Sequence, residues 1–254
     1  MLPAERKNEI LARLTFEGKV IVSDLSRQYG VTEETIRRDL EKLEKEGFAK
    51  KIYGGAIKNE NVNTELPYMV RKQTNVDKKK YIASIIGSMI KDGDYILLDA
   101  STTTLFTVKN ISHLQNITLI TNSVEVLLEV PQNNNWRVFC TGGSFAPESL
   151  SFVGHQAEEI ISSYNVNLAV MSCKGIDMER GITDTREGNA QIKKLFIKAA
   201  DKVILAADSS KFDKVSFVHF ADVQDMSTVV TDTRPNDEWM RYFAARGTQV
   251  VYEF

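Results

Sequence analysis

The sequence is short of the residues that make staples and metal cages. It has 2 cysteines and 3 histidines in 254 residues. Cys140 and Cys173 both lie in apolar stretches and read as small buried residues, so no disulfide framework is expected, and this usage fits a reducing, cytoplasmic compartment. The histidines are scattered, with no ligand spacing, so no metal and no cofactor is expected. No apolar run approaches the roughly 18 residues of a membrane-spanning helix. The opening MLPAERKNEILARL is polar and charged, unlike a secretion signal.

An excess of positive charge is missing too. The net charge is −2. Residues 1–58 carry 12 Lys+Arg against 10 Asp+Glu, a net of +2, which leaves −4 for the remainder. Any electrostatic footprint for nucleic acid must therefore come from local placement of a few cations. What the chain has is a 43% hydrophobic and 26% charged composition, enough apolar material for a real core, and a length that fits two ordinary domains.

Residues 22–47, VSDLSRQYGVTEETIRRDLEKLEKEG, read as two short helices and a tight turn. Ser23 can cap the first, and Leu25 and Tyr29 fall four apart on one face. Gly30 suits the left-handed position just past that helix. Thr32 caps the second, with Glu33 and Glu34 in its first turn, where acids meet the positive end of the dipole. Ile36, Leu40 and Leu43 share one inward stripe. Thr35, Arg37 and Arg38 stay outside it, early in the second helix, where a helix-turn-helix meets base edges. Arginine there can fork onto guanine or clamp a phosphate. A plain helical hairpin with solvated arginines has the same spacing, so spacing alone leaves both readings open.

Around this pair, Pro3 opens a first helix with Ile10, Leu11 and Leu14 inside. After Gly47, the alternation of Phe48, Lys50 and Ile52, the Gly54-Gly55 turn signal and a return over 56–58 predict a hairpin, the wing of a winged helix-turn-helix domain. Residues 59–75 are polar, carry Pro67 and have no sustained period; they read as a linker. From 76 to 254 short apolar strands (95–99, 117–121, 137–141, 168–172, 203–207, 228–231, 249–252) alternate with helices (79–91, 154–163, 189–201 and 236–246 among them). That pattern predicts an α/β domain with a mostly parallel sheet covered on both faces.

Ligands of such sheets bind beyond the C-terminal strand ends. Polar and glycine clusters fall there: Asp99 to Thr104, with Ser101, Thr102 and Thr103 between; Asn122; Gly142 and Gly143; Lys174; and Asp208 with Lys211. In the first, a strand runs into four hydroxyl residues that open a helix. Free N–H groups, the helix dipole and the hydroxyls together suit a phosphate. Plain capping accounts for Ser and Thr equally well, and both readings stand on the spacing.

TEETIRRDLEKLEKEG followed by KKIYGGAI resembles the DNA-binding signature of the DeoR family of bacterial transcription regulators. LLDASTTT, LITNS, CTGG, FVG, CKGID, GIT and AADSSKF follow in order and resemble that family's C-terminal sensor domain, which is related to phosphosugar isomerases. The departures are Lys51, Ile52 and Tyr53 where Arg-x-His is usual, Ala100 where a glycine is usual, and Asn189 where an acid is usual. The resemblance implies a winged helix-turn-helix followed by an α/β effector-sensing and oligomerisation domain. The implied partners are operator DNA, a phosphorylated sugar and further copies of the chain, at least a dimer, with no membrane. It further implies a repressor of a sugar-metabolism operon, released by that sugar. Ser23, Thr32, Glu33, Thr35, Arg37, Arg38, Lys50, Lys51 and Tyr53 are the expected DNA contacts. Ser101 to Thr104 would cradle the phosphate, Asp99 would meet sugar hydroxyls or brace the loop, and Lys174 and Lys211 would supply cations. An isomerase or phosphatase with an appended DNA-binding domain is the enzymatic alternative. Against it, Ser101 stands where a two-aspartate phosphatase needs its second acid, and no Ser-His-Asp set or Walker loop occurs. A regulator answering to a partner protein is a third possibility.

Overall fold

The first helix, α1 (Pro3–Glu17), starts at the proline and ends on Gly18, whose φ of 76° is the left-handed value that glycine adopts without strain. The computed structural model describes residues 1–59, 65–132 and 135–253. It divides into two units, Met1–Val76 and Asp77–Phe254.

In the first unit, α1 is followed by β1 (Lys19–Ile21), α2 (Val22–Tyr29), α3 (Glu33–Lys45), β2 (Ala49–Ile52), β3 (Gly55–Lys58) and α4 (Tyr68–Gln73). Ile10, Leu11 and Leu14 meet Leu25, Ile36, Leu40 and Leu43 in one buried cluster. Each such side chain contributes about 1.5–3 kcal/mol by leaving water, so this stripe outweighs the weak intrinsic stability of helices this short. Thr32 caps α3 as expected, its hydroxyl accepting from the Thr35 N–H at 3.3 Å. Ser23 does not cap α2. That helix begins one residue earlier, at Val22, with Ile21 in the capping position and no side-chain cap, so Ser23 already lies inside its first turn; the Val22 N–H donates to the Gly54 carbonyl at 2.9 Å.

The hairpin has a third strand, which the sequence pattern did not suggest. β1 pairs with β3, and the antiparallel order is β1-β3-β2. The turn residues are Tyr53 and Gly54, not Gly54 and Gly55. Gly55 is the first residue of β3, where a Cβ would stand 2.1 Å from the Val20 carbonyl oxygen, so the glycine permits the close approach of β1. In the segment expected as a linker, residues 60–64 lie outside the described residues, and 68–73 form α4, whose Val70 is buried in the cluster around α1.

In the second unit, α5 (Val76–Met89) precedes β4 (Tyr95–Leu98), α6 (Thr102–Asn110), β5 (Thr118–Thr121), α7 (Val124–Leu128) and β6 (Arg137–Cys140). Then come β7 (Ser144–Ala146), β8 (Ser151–Val153), α8 (His155–Ser162) and β9 (Val166–Met171). β10 (Gly175–Asp177), β11 (Gly181–Asp184), α9 (Glu187–Ala199) and β12 (Ala200–Ala206) follow, and β13 (Val218–Ala221), β14 (Thr228–Val230), α10 (Asp237–Ala244) and β15 (Gln249–Val251) complete it.

Among the described residues seven strands form one parallel sheet in the order β15-β14-β12-β9-β4-β5-β6. Alternation along the strands sorts two cores. Leu97, Ala169, Leu205 and Val229 face Ile161, Phe196, Trp239 and Phe243 on one side. Ile96, Leu98, Val170, Ile204 and Val230 face Ile82, Ile86, Leu105 and Val108 on the other. The sheet is thus covered on both faces, as an all-parallel sheet requires. The chain runs outward from β4 to β6, then returns to lay β9 on the other side of β4. The order therefore reverses between β4 and β9, which is where such sheets open a crevice. Two smaller antiparallel elements, β10-β11-β13 and β7-β8, were absent from the sequence reading; their strands are three or four residues long.

Candidate functional site

On α3, the buried stripe turns Arg37 and Arg38 outward. Arg37 pairs with Glu33 at 2.5 Å and Arg38 with Glu34 at 3.2 Å, each one turn back on the same helix. Both arginines are mostly exposed, and such pairs are worth little, so a phosphate or a guanine edge can replace the carboxylates at small cost. Thr35 is half-buried and its hydroxyl lies 2.9 Å from that of Thr32. Glu33 and Ser23 are exposed near the two helix starts.

The hairpin lies next to α3 in the same unit. Lys51 bonds Glu41 through its ammonium at 2.9 Å and Glu44 through its backbone N–H at 2.8 Å, which fastens β2 to α3. The bond to Glu41 holds the Lys51 ammonium above its usual range and the Glu41 carboxyl below its own. Lys50 is exposed, and Tyr53 at the turn is 106% exposed, a full aromatic ring in solvent. A bare ring at a hairpin tip has no packing role in its own unit.

In the second unit, the strand-end residues all lie on one edge, because β6, β5, β4, β9 and β12 are adjacent and parallel. The best-built part is the turn after β4. Ser101 caps α6, its hydroxyl accepting from the Thr104 N–H at 3.1 Å. Asp99 is 2% exposed. Its Oδ1 accepts from the Ser101 N–H at 3.1 Å and the Thr104 hydroxyl at 2.9 Å, and its Oδ2 from the Ser172 N–H at 3.1 Å. Asp99 is therefore engaged as a brace that ties β4's turn to the end of β9, across the point where strand order reverses. The Thr104 hydroxyl is spent inside the turn as well. Thr102 and Thr103, in the first helical turn, make no side-chain hydrogen bond among the described residues.

Asn122, at the end of β5, is 2% exposed; its Nδ2 donates to the Phe152 carbonyl at 3.0 Å, while Oδ1 has no partner among the described residues. Gly142 and Gly143 end β6 with φ of 58° and 110°, and a Cβ on Gly143 would sit 2.7 Å from the Val153 carbonyl oxygen. Asp208 caps the short helix Ser209–Lys211, accepting from the Ser210 N–H at 3.0 Å. Lys211 has no carboxylate partner within ion-pair distance among the described residues. Burial pushes the Cys173 thiol up to about 12, while Lys211 and Lys193 act in the opposite direction and Asp184 and Asp208 add to the rise. These four charged groups therefore gather around Cys173, which is inert as a nucleophile. Lys174 lies near Asp184 and helps to lower its pKa.

Two groups escaped the sequence reading. Lys193 on α9 is buried, donating to Asp184 Oδ2 at 2.5 Å and to the Ser172 carbonyl at 2.6 Å, with Asp99 Oδ2 at 3.5 Å. Asp232 braces the other loop, accepting from the Ser209 N–H at 2.5 Å and hydroxyl at 3.1 Å and pairing with Lys78 at 3.1 Å. A signal for Lys193 was available: Ala190, Lys193, Phe196 and Ala199 are all buried at three-residue spacing, so the lysine occupies an inner-face position.

Residues 74–233 match the DeoR C terminal sensor domain, and residues 6–62 match the DeoR-like helix-turn-helix domain. The chain belongs to the DeoR family of transcription regulators. It is 42% identical to the uncharacterized HTH-type transcriptional regulator YulB of Bacillus subtilis, over 92% of this chain and 90% of that one. It is 31% identical to the transcriptional repressor AccR of Agrobacterium fabrum, over 90% and 89%. To the L-fucose operon activator of Haemophilus influenzae it is 30% identical, over 93% and 95%. Ribose 5-phosphate isomerase a of Methanocaldococcus jannaschii covers 55% of each chain at 16% identity with a TM-score of 0.40; at that level the likeness decides nothing about function. The DeoR family consists of regulators, and the chain is one of them and not an enzyme. Its helix-turn-helix binds DNA, and its sensor domain takes a small-molecule effector.

Proposed function

We propose that this DeoR-family chain represses a sugar-metabolism operon and leaves its operator when a phosphorylated sugar binds the second unit. The observation that carries the effector half is the turn from Ser101 to Thr104. It offers unpaired N–H groups at a helix start, two uncommitted hydroxyls at Thr102 and Thr103, and a carboxylate that is turned inward with its charge offset by Lys193 at 3.5 Å. Lys174 and Lys211 add positive charge on the same sheet edge, and Asn122, Asp208, Gly142 and Gly143 line its neighbouring strand ends.

In the DNA half, Thr35, Arg37 and Arg38 read the major groove, Ser23, Thr32 and Glu33 frame the two helix starts, and Lys50, Lys51 and Tyr53 form the wing contact. A relative named for an L-fucose operon supports a sugar-linked role; that relative is named an activator and AccR a repressor, and repression is the sign proposed here. Two-fold operators go with two-fold readers, so the working form is a homodimer or larger. It acts in the cytoplasm, where DNA and phosphorylated sugars meet.

A footprint on DNA flanking the chain's own gene, with and without phosphorylated sugars, tests this. Protection should disappear with one phosphorylated sugar and persist with its unphosphorylated form. Protection that no phosphorylated sugar removes, or that the free sugar removes, sinks the reading.

A further inference from the structure

We propose that Lys193 is the positioning residue of the anion-binding turn: its buried ammonium holds the Asp99 carboxylate, and through it the Ser101 N–H and the Thr104 hydroxyl, in the geometry that receives a phosphate. This rests on reading the Ser101–Thr104 turn as the effector's phosphate site.

The groups around this nitrogen come from several separate parts of the chain. Asp184 Oδ2 of β11 is at 2.5 Å, the Ser172 carbonyl just after β9 at 2.6 Å, and Asp99 Oδ2 just after β4 at 3.5 Å. The Phe220 ring of β13 lies 5.3 Å away, and Cys173, with Lys211 and Asp208 beyond it, completes the surroundings. Burial opposes the lysine's charge, but Asp184 and Asp99 together outweigh it and hold the ammonium above its usual range. Two buried carboxylates thus share one cation. A buried ion pair is poor value as a source of stability, since apolar packing of the same volume often does as well. What apolar packing cannot do is fix the direction of a neighbouring carboxylate.

Asp99 is the carboxylate that needs fixing. Its two oxygens together accept from Ser101, Thr104 and Ser172. With Lys193 charged, both oxygens stay available as acceptors. Without it, Asp99 and Asp184, whose Oδ2 atoms lie within 3.5 Å of the same nitrogen, are left to repel each other with no counter-charge between them. Asp99 then swings away from Asp184, and the hydrogen bonds that shape the turn are disturbed.

The test compares Lys193→Met with Asp184→Asn in the full chain. Both variants break the same ion pair, so a purely structural role predicts equal defects. The positioning role predicts unequal ones, because in Asp184→Asn the lysine still faces Asp99 and Ser172. Two measurements are made on folded protein: affinity for inorganic phosphate, and amide hydrogen exchange at Ser101 and Ser172. Lys193→Met should bind phosphate about tenfold more weakly, as for one misplaced charge-assisted hydrogen bond, and lose protection at both amides. Asp184→Asn should stay within about twofold of wild type and keep both amides protected. Equal effects in the two variants, or unchanged protection in Lys193→Met, overturn the proposal. If wild type itself fails to bind phosphate, the effector reading falls, and the exchange data alone then decide whether Lys193 shapes the turn.

Discussion

Arg6 on α1 donates its Nε to Asp39 on α3 at 2.6 Å, and both side chains are over 90% buried. The contact sets how the helix bearing Arg37 and Arg38 sits on the first helix. Breaking one partner leaves an uncompensated charge in the core. Asp39→Ala should therefore destabilise the first unit by about 3–5 kcal/mol, whereas the paired replacement Arg6→Met with Asp39→Leu should come close to wild type. Denaturant unfolding of the single and double variants measures both.

Arg38→Ala should weaken operator binding by about 1–3 kcal/mol if the guanidinium forks onto a base. If it clamps a phosphate, the loss should be the same on every DNA and the salt slope should fall by about one unit. Neither change should alter folding, because Arg38 is exposed and its partner Glu34 lies on the same helix. Titrations at several salt concentrations separate the two contacts. Affinity unchanged in Arg37→Ala, Arg38→Ala and the double variant would remove α3 as the reading helix.

Thr103→Asp places a negative charge in the first turn of α6 and removes an uncommitted hydroxyl. The variant should bind its operator normally and ignore the phosphorylated sugar. By linkage, operator DNA should weaken sugar binding to wild type by the factor with which sugar weakens DNA binding. Lys211→Ala should show a milder defect of the same kind. An intact sugar response in Thr103→Asp puts the effector elsewhere.

Acid should expose the contribution of Asp184. Burial alone would raise its pKa, but Lys193 and Lys174 outweigh burial and hold the carboxyl below the 3.8 of a free aspartate. A carboxylate with a depressed folded-state pKa stabilises fully above the unfolded value, and the gain is lost as pH falls through the folded one. Lys193, shifted upward from 10.5, contributes fully at neutral pH and loses its share only in strong base. Asp184→Asn should thus melt several degrees below wild type, roughly 3–8 °C, across the neutral range, with the gap closing below about pH 4. A gap that persists in acid would mean that the ion pair is not its source.

How far the sequence could be read depended on periodicity. The stripe of Ile36, Leu40 and Leu43, the Thr32 cap and the alternating apolar strands are local signals, and each matches the element observed. The turn after β4 was legible as well, because Ser101 and the threonines announce a helix start. Signals that depend on distant partners were not. β1 is three residues long and exists through its pairing with β3, and the Val22 N–H bonds a carbonyl of the wing where α2 begins, one residue before the expected Ser23 cap. β10 and β11 carry glycine and aspartate, β13 is four residues long, and all three pair only in the folded sheet. The buried charges Arg6, Asp39 and Lys193 lie at inner-face positions of their helices, where they interrupt an apolar stripe. For Arg6 and Asp39 the partner is 33 residues away, and only that pairing makes the interruption intelligible; for Lys193 the inner-face spacing was itself a readable signal, though not its two carboxylate partners.

The wing has one more consequence. Its inner strand is bonded on both edges, its turn carbonyl holds the first residue of α2, and its outer strand is fastened to α3 through Lys51. Helix and wing tip therefore behave like the two jaws of a caliper locked at one opening. Under the proposed DNA reading, Tyr53 and Arg38 meet the duplex from backbones held at one separation, and the duplex must fit that separation. Operators whose groove width departs from that gauge should be rejected even when every contacted base is correct, so part of the sequence preference should come from base pairs that no side chain touches.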